Sequence, residues 1–407
     1  MSQQTAQPGS LYGVPGVTQR FEQDDTTIAS QTSLAIATTV NDNNVQNLQQ
    51  TDIVHWIEQE LTWSGPPGFT GGTGAALSPY APYNLLQAAS MQMQGQYKPI
   101  DVVSGIDLAI FQLYRPMRGS AQMAYQPLLG ANPAATFANS ALPQANLVAT
   151  PSMTTSSTNV PVYLEWPLSL WLDQYWDLAQ DGSINGPPIS AYVSPQYMSG
   201  GQRVVRPKIT YAPGFPSNSD NGPVTYTATP TAGTETVTET WRRVGVYASV
   251  NPATMPPVFN WQYQRHSFQY GVGGKTKVTV PITDYGQILS VFLRFYDPTA
   301  ATPILITSGS YLPSYVELSY GSNLPRFYDE MPAMQKRFLD QHGFLPPVGT
   351  IIWDMALTDT GGYMTNAKAI NTMTNANVTA VVQFTTALSA NAYVVVGIES
   401  LVFVAIQ

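Results

Sequence analysis

The sequence predicts an all-β protein built as two β-sandwiches or barrels in series, and three observations lead there. Short apolar or alternating runs of strand length recur along most of the 407 residues, separated by Gly, Pro, Asn and Ser. Only one stretch carries a full set of helix signals. A low-complexity segment rich in Pro, Ser, Thr and Asn, 214–233, divides the chain into two strand-rich parts. The expected organisation is an N-terminal arm over 1–50, a first β unit over 51–232 and a second over 233–407.

Residues 1–50 are rich in Gln, Thr, Asn and Gly with little periodicity, which predicts an arm that is disordered or extended until assembly orders it. The first unit opens with the run Ile53 to Trp63 and a Gly-rich loop that reaches Pro82. Ile106 to Tyr114 is a further apolar run among these β-type segments, closed by Arg115-Pro116. A loop follows from Gly119 to about Pro143. Val160 to Leu172 is rich in Val, Tyr, Trp and Leu, and Val204 to Tyr211 alternates. Leu168 to Gln180 is a weaker helix candidate, with Trp171, Tyr175 and Leu178 on one face.

In the second unit strand-like runs cover 236–250, 260–270, 275–282, 288–296, 314–320, 349–357, 378–388 and 393–405. Val378, Ala380, Val382 and Phe384 alternate with Thr379, Val381, Gln383 and Thr385, the period of a strand with one face more buried. The helix candidate begins at Asp329-Glu330. Met331, Met334 and Phe338 recur at helical spacing, Lys336 and Arg337 lie toward the end, and Gly343 follows as a stop. Tyr83 to Met91 and Tyr285 to Leu293 share an aromatic, a spacer and apolar positions, a faint echo of internal duplication.

Composition narrows the function. Charged residues are 10% of the chain, against about 25% in ordinary soluble proteins. No base lies between Arg20 and Lys98, nor between Arg118 and Arg203. A surface this poor in charge suits a protein covered by copies of itself. The absence of cysteine excludes disulfide scaffolds, thiolate metal sites and cysteine nucleophiles. No apolar run reaches the length of a membrane-spanning helix, and the polar start predicts no secretory signal. A net charge of −8 argues against a dedicated nucleic-acid binder, and the small cluster Arg203, Arg206 and Lys208 reads as a solvated face or subunit contact.

No motif carries chemistry. Gly271-Val272-Gly273-Gly274-Lys275-Thr276 imitates the end of a phosphate-binding loop, but Gln269 stands where that loop needs its first glycine. The strand-like run after it predicts a hairpin turn. His55, His266 and His342 have no ligand-like spacing. Asp173, Asp177 and Asp181, with Ser183 and Asn185, depart from the spacing of a calcium loop and read as a solvated helix face. Glu58 and Glu60 share one face of a strand, where paired carboxylates suit glycoside chemistry. Nothing nearby separates their pKa values. No catalytic, cofactor-binding or metal-binding residue is therefore expected, and no cofactor.

Four stretches carry a family likeness. The first combines Tyr83-Asn84-Leu85-Leu86-Gln87, Gly95-Gln96-Tyr97 and Ser104-Gly105-Ile106-Asp107-Leu108, read as a short segment, a turn and the next strand. The second is the aromatic strand Val160 to Leu168. The third runs from Val280-Pro281 through Phe295-Tyr296-Asp297. The fourth is a helix with Lys336-Arg337, the turn Gly343-Phe344-Leu345-Pro346 and the strand Gly349 to Asp354. In this order the chain resembles the double-jelly-roll major capsid proteins of tailless, membrane-containing icosahedral bacteriophages of the tectivirus kind, whose fold adenovirus hexon shares.

The resemblance implies two eight-stranded jelly rolls side by side, with few short helices and an extended N-terminal arm. It implies a structural subunit and not an enzyme: a homotrimer of pseudo-hexagonal outline whose copies tile an icosahedral shell. Its partners would be neighbouring trimers, penton and minor capsid proteins, and an internal lipid membrane reached by the arm, with no sequence-specific nucleic-acid binding. Its place would be the virion, after assembly in the host cytoplasm. Two other readings predict different surfaces. A receptor- or carbohydrate-binding β-sandwich of a virion or cell surface would show a clustered aromatic or acidic site at one end of a single roll. A glycosidase would place Glu58 and Glu60 in a deep cleft.

Overall fold

The computed structural model describes residues 17–35, 40–42, 48–49, 56–63, 69–70, 76–77, 83–93, 98, 100–114, 160–167, 204–211, 224–225, 232–249, 261–282, 286–300, 302–306, 309–320, 325–342, 346–347, 349–355, 370–372 and 377–403. Two-residue strands aside, these hold sixteen strands and two α-helices. The first eight strands are β1 (Val17–Ala35), β2 (Val40–Asp42), β3 (Trp56–Trp63), β4 (Leu86–Met93), β5 (Ile100–Val103), β6 (Val160–Pro167), β7 (Val204–Tyr211) and β8 (Ala232–Ser249). The second eight are β9 (Trp261–Gly271), β10 (Lys277–Ile282), β11 (Gln287–Asp297), β12 (Pro313–Ser319), β13 (Pro325–Asp329), β14 (Thr350–Asp354), β15 (Val378–Phe384) and β16 (Tyr393–Phe403). Helix α1 (Gly105–Tyr114) follows β5 and helix α2 (Met331–His342) follows β13.

The pairing is the same in both halves. Antiparallel ladders order the first eight strands β1-β8-β3-β6 and β2-β7-β4-β5. The second eight are ordered β9-β16-β11-β14 and β10-β15-β12-β13. Adding eight to each strand number of the first half reproduces the second half, and each half carries its α-helix between its fifth and sixth strands. Two four-stranded sheets wound in this order form a jelly roll. The chain is two of them, and the halves are joined edge to edge where β5 pairs in parallel with β9, Ile100 and Asp101 opposite Arg265 and His266.

The second roll follows from its sequence pattern. Val278, Val280 and Ile282 of β10 point inward while Lys277, Thr279 and Pro281 are exposed. Opposite them stand Val291, Leu293 and Phe295 of β11 and Val394, Val396 and Ile398 of β16, all in one core cluster. Two inner apolar faces alternating with outer polar ones form a sandwich core. Helix α2 closes it as its spacing predicts: Met331, Met334, Phe338 and His342 are its buried face.

Four expectations are corrected. Residues 17–35, expected within a loose arm, form β1, which pairs along β8 from Val17–Ser249 to Ala35–Thr234. Strand β8, expected to open the second unit, belongs by pairing to the first, because both of its edges are taken by β1 and β3. The apolar run at 106–114 is a helix and not a strand. The echo between 83–91 and 285–293 does not relate equivalent strands, since it aligns the fourth strand of one roll with the third of the other. Repeated topology carries the duplication instead. The weaker helix candidate at 168–180 lies outside the described residues.

Candidate functional site: the seam between the rolls

Helix α1 starts with a cap that its sequence spells out. Ser104 Oγ accepts the Asp107 backbone N–H at 3.1 Å and donates to Asp107 Oδ2 at 2.7 Å. This Ser-x-x-Asp arrangement satisfies one of the amides that a helix start leaves over and orients the capping hydroxyl. Gly105 is required next, because a Cβ there would stand 2.2 Å from the Tyr83 carbonyl oxygen. Tyr83 is itself buried, which pushes its phenol well above its usual pKa and keeps it neutral. Val102, just before the helix, has φ of 52°. For a β-branched residue that conformation costs on the order of 1–3 kcal/mol, so surrounding contacts must hold it. One of them is Ser267 Oγ of the other roll, which donates to the Val102 carbonyl at 3.2 Å.

The helix lies against the outer face of the second roll's first sheet. That face is buried and polar, whereas the inner face of the same sheet is apolar. Asp107 Oδ1 accepts Arg294 Nε–H at 3.0 Å, and Ser267 Oγ also stands 3.2 Å from Oδ2, its single proton shared between that oxygen and the Val102 carbonyl. One register row away, Arg265 of β9 stands opposite Glu399 of β16, which stands opposite Ser290 of β11. Arg265 Nη2 is 3.6 Å from Glu399 Oε1, and Ser290 Oγ donates to Glu399 Oε2 at 3.0 Å. Tyr114, the last residue of α1, meets Ser290 Oγ at 2.9 Å. Phe111 fills the space between these polar rows. Its ring stands edge-on to Phe292 at 4.9 Å, and the Arg265 guanidinium sits 5.0 Å above it. Phe292 in turn lies on Gly397, where a Cβ would come within 2.0 Å of the ring.

Ions this deep need partners. Asp107, Arg294, Arg265 and Glu399 are all at most 2% exposed. Burying such charges costs several kcal/mol each, which the ion pairs and added hydroxyls offset only with good geometry. A hydrophobic contact tolerates sliding, but a buried carboxylate held by a guanidinium and two hydroxyls accepts one placement. The arrangement therefore fixes how one roll sits on the other. A cavity of about 220 Å³ opens beside it, lined by Asn84, Gln87, Val102, Asp107, Gln269 and Arg294 among others. Asp107 is already engaged there by Arg294, Ser104 and Ser267, and the Arg294 guanidinium balances its charge.

The residues singled out in the sequence lie elsewhere. Glu60 is half-buried on the face of β3 opposite Ile57, Gln59 and Leu61, and does not line the cavity; of Glu58 only the strand position is described. Gly273 and Gly274 form a turn, with Lys275 N–H donating to the Val272 carbonyl and Gly274 N–H to Leu388. The amides are thus committed, as a strand context requires. The turn joins β9 to β10 in the opposite sheet, so it is a sheet-to-sheet crossing and not a hairpin. His266 Nδ1 lies 2.8 Å from the Asp101 carbonyl, beside the β5–β9 pairing. His342 Nε2 lies 3.4 Å from Asp354 Oδ2, with its ring against Phe338 and Tyr114. No group of three or more His, Asp or Glu gathers as a metal site among the described residues. Arg206 and Lys208 fall on β7, while His55, Arg203, Asp173, Asp177, Asp181, Ser183 and Asn185 lie outside the described residues.

Sequence reading did not pick out the seam residues. Two signals pointed to them: the Ser104-x-x-Asp107 cap, and single charges, Arg294 and Glu399, inside otherwise apolar strands.

No protein-family model matches the sequence, and no curated protein matches it. Solved structures match over almost the whole chain. PBCV-1 VP54, in the crystal structure fitted into a reconstruction of the virophage Sputnik, is 11% identical with a TM-score of 0.53, covering 93% of this chain and 94% of that one. The PBCV-1 virus capsid gives 11% identity and a TM-score of 0.52 over 94% and 95%. The Sulfolobus Turreted Icosahedral Virus structure gives 14% identity and a TM-score of 0.50 over 93% and 90%. The likeness spans both rolls, and the fold of this chain is the double jelly roll.

Proposed function

We propose that this chain is the major capsid protein of an icosahedral virus, a structural subunit of the virion that carries out no reaction. The observation that supports it best is the pair of jelly rolls with identical strand order, joined by a shared ladder and a buried ionic seam. Two similar blocks fixed side by side make one chain fill two adjacent places of a six-sided ring. Three copies then complete a trimer of pseudo-hexagonal outline, a shape that tiles a shell. Solved structures of the same fold are virus capsid proteins, and the sequence adds a surface poor in charge, which keeps repulsion between packed copies small.

The rolls divide as 17–249 and 261–403 in this reading, following the sheet pairing. Penton and minor capsid proteins, and an internal membrane, belong to it as further partners. The test is the mass of the purified chain in solution, followed by electron microscopy. Trimers of three times 44.2 kDa that build hexagonal sheets or shells are expected. A chain that stays a 44.2 kDa monomer at every concentration overturns it.

A further inference from the structure

Strand β5 is only four residues long, and a gap opens where it ends. It lies between β9, paired at Ile100–Arg265 and Asp101–His266, and β4, paired at Met91–Ile100 and Ala89–Val103. Strands β4 and β9 therefore stand one strand apart. Both extend beyond the point where β5 turns away, β9 on to Gly271 and β4 back to Leu86. Val102, with its φ of 52°, makes that turn and sends the chain into α1. The cavity of about 220 Å³ is this gap: Leu86 and Gln87 line it on one side, Ser267, Phe268 and Gln269 on the other. It is empty space bounded by described residues.

Two strand edges face each other across it. A strand turns the N–H and C=O groups of alternate residues to its two sides, so an edge without a partner presents a row of them. The far side of β9 is taken by β16, and the far side of β4 by β7. On the gap side, no ladder among the described residues reaches 267–271 of β9 or 86–88 of β4. At the start of the gap Ser267 Oγ reaches the Val102 carbonyl, a side chain in the place of a ladder bond. The lining is balanced in charge, since Asp107 and Arg294 are its ionic groups and pair with each other. Apolar Val102 stands 55% exposed at the rim, and a Cβ on Gly271 would meet nothing.

We propose that this gap receives an extended, uncharged segment of a second polypeptide chain, which continues the line of β5 and bonds to both edges. About three residues enter, the length of the 86–88 edge at about 3.3 Å per residue. Backbone bonds supply the affinity. An acidic or basic side chain carried into the gap would find no free counter-charge there and is excluded. The strained turn at Val102 ends β5 early and keeps the place open. The site lies within one chain, so it does not depend on the capsid reading.

The probe is the blocked peptide acetyl-Thr-Val-Gln-Val-amide, added in millimolar excess to the full chain and read by amide hydrogen exchange. Exchange is expected to slow several-fold at 267–271 and 86–88 and to stay unchanged along the end strand β10. The same peptide N-methylated at both valines keeps its side chains but loses ladder donors, and it should protect neither edge. Replacing its Gln by Glu should weaken binding about tenfold or more. No protection up to the solubility of the first peptide overturns the proposal. So does equal protection by the N-methylated or the Glu peptide, or protection spread equally over β10.

Discussion

Helices α1 and α2 hold equivalent positions, between the fifth and sixth strands of their rolls, yet their side chains divide in opposite ways. Nearly all of α1 is buried, and it has no basic residue at all. Helix α2 buries one stripe on its own roll and presents Lys336, Arg337, Leu339 and Asp340 outward. Arg337 pairs with Asp329, and Lys336 reaches Asp340 at 2.5 Å. The difference teaches what position alone does not decide. The same element becomes an internal weld where the chain supplies the opposite surface, and stays amphipathic where it does not.

Substitutions that break the weld should have the largest effects. Asp107→Ala leaves Arg294 without its ion-pair partner in a buried site, and a loss of about 3–5 kcal/mol is expected by denaturant unfolding. The double replacement Asp107→Leu with Arg294→Met should recover much of that, and a double-mutant cycle reads the coupling. Gly397→Ala pushes a methyl group into the Phe292 ring, with about 1–3 kcal/mol expected from overpacking. Loss of the α1 cap in Ser104→Ala should cost about 1 kcal/mol. The smallest effect belongs to α2: Lys336→Ala removes an exposed i,i+4 pair worth about 0.3–0.5 kcal/mol, and added salt should erase the difference. An outcome in which Lys336→Ala cost as much as Asp107→Ala would dissolve the contrast between the helices.

Part of the second roll was legible because strands such as β10 face the core on one side and solvent on the other. Strand β10 alternates strictly, and the Met331, Met334, Phe338 stripe announced α2. Strand β11 is buried on both faces from Ile288 to Tyr296, so alternation could show a strand but not which face met the neighbouring roll. Helix α1 was hidden for a similar reason. An apolar run buried all round has no polar stripe, and over ten residues its periodicity resembles that of a buried strand. Only its Ser104-Asp107 cap distinguished it. The β1–β8 pairing was hidden because both are polar, Thr-rich strands, and it joins residues about two hundred positions apart. The ionic seam was out of reach for the same reason: Asp107 and Arg294 are 187 residues apart in sequence.

Hydrogen exchange on the chain and on its Asp107→Ala variant tests most directly the claim that α1 welds the rolls within a chain while α2 buries one stripe on its own roll. The account predicts that α1 amides exchange more slowly than α2 amides in the native chain, and that the variant speeds exchange in α1 more than in α2. Exchange of α1 as fast as α2 in the native chain, or equal acceleration of both helices in the variant, would contradict it.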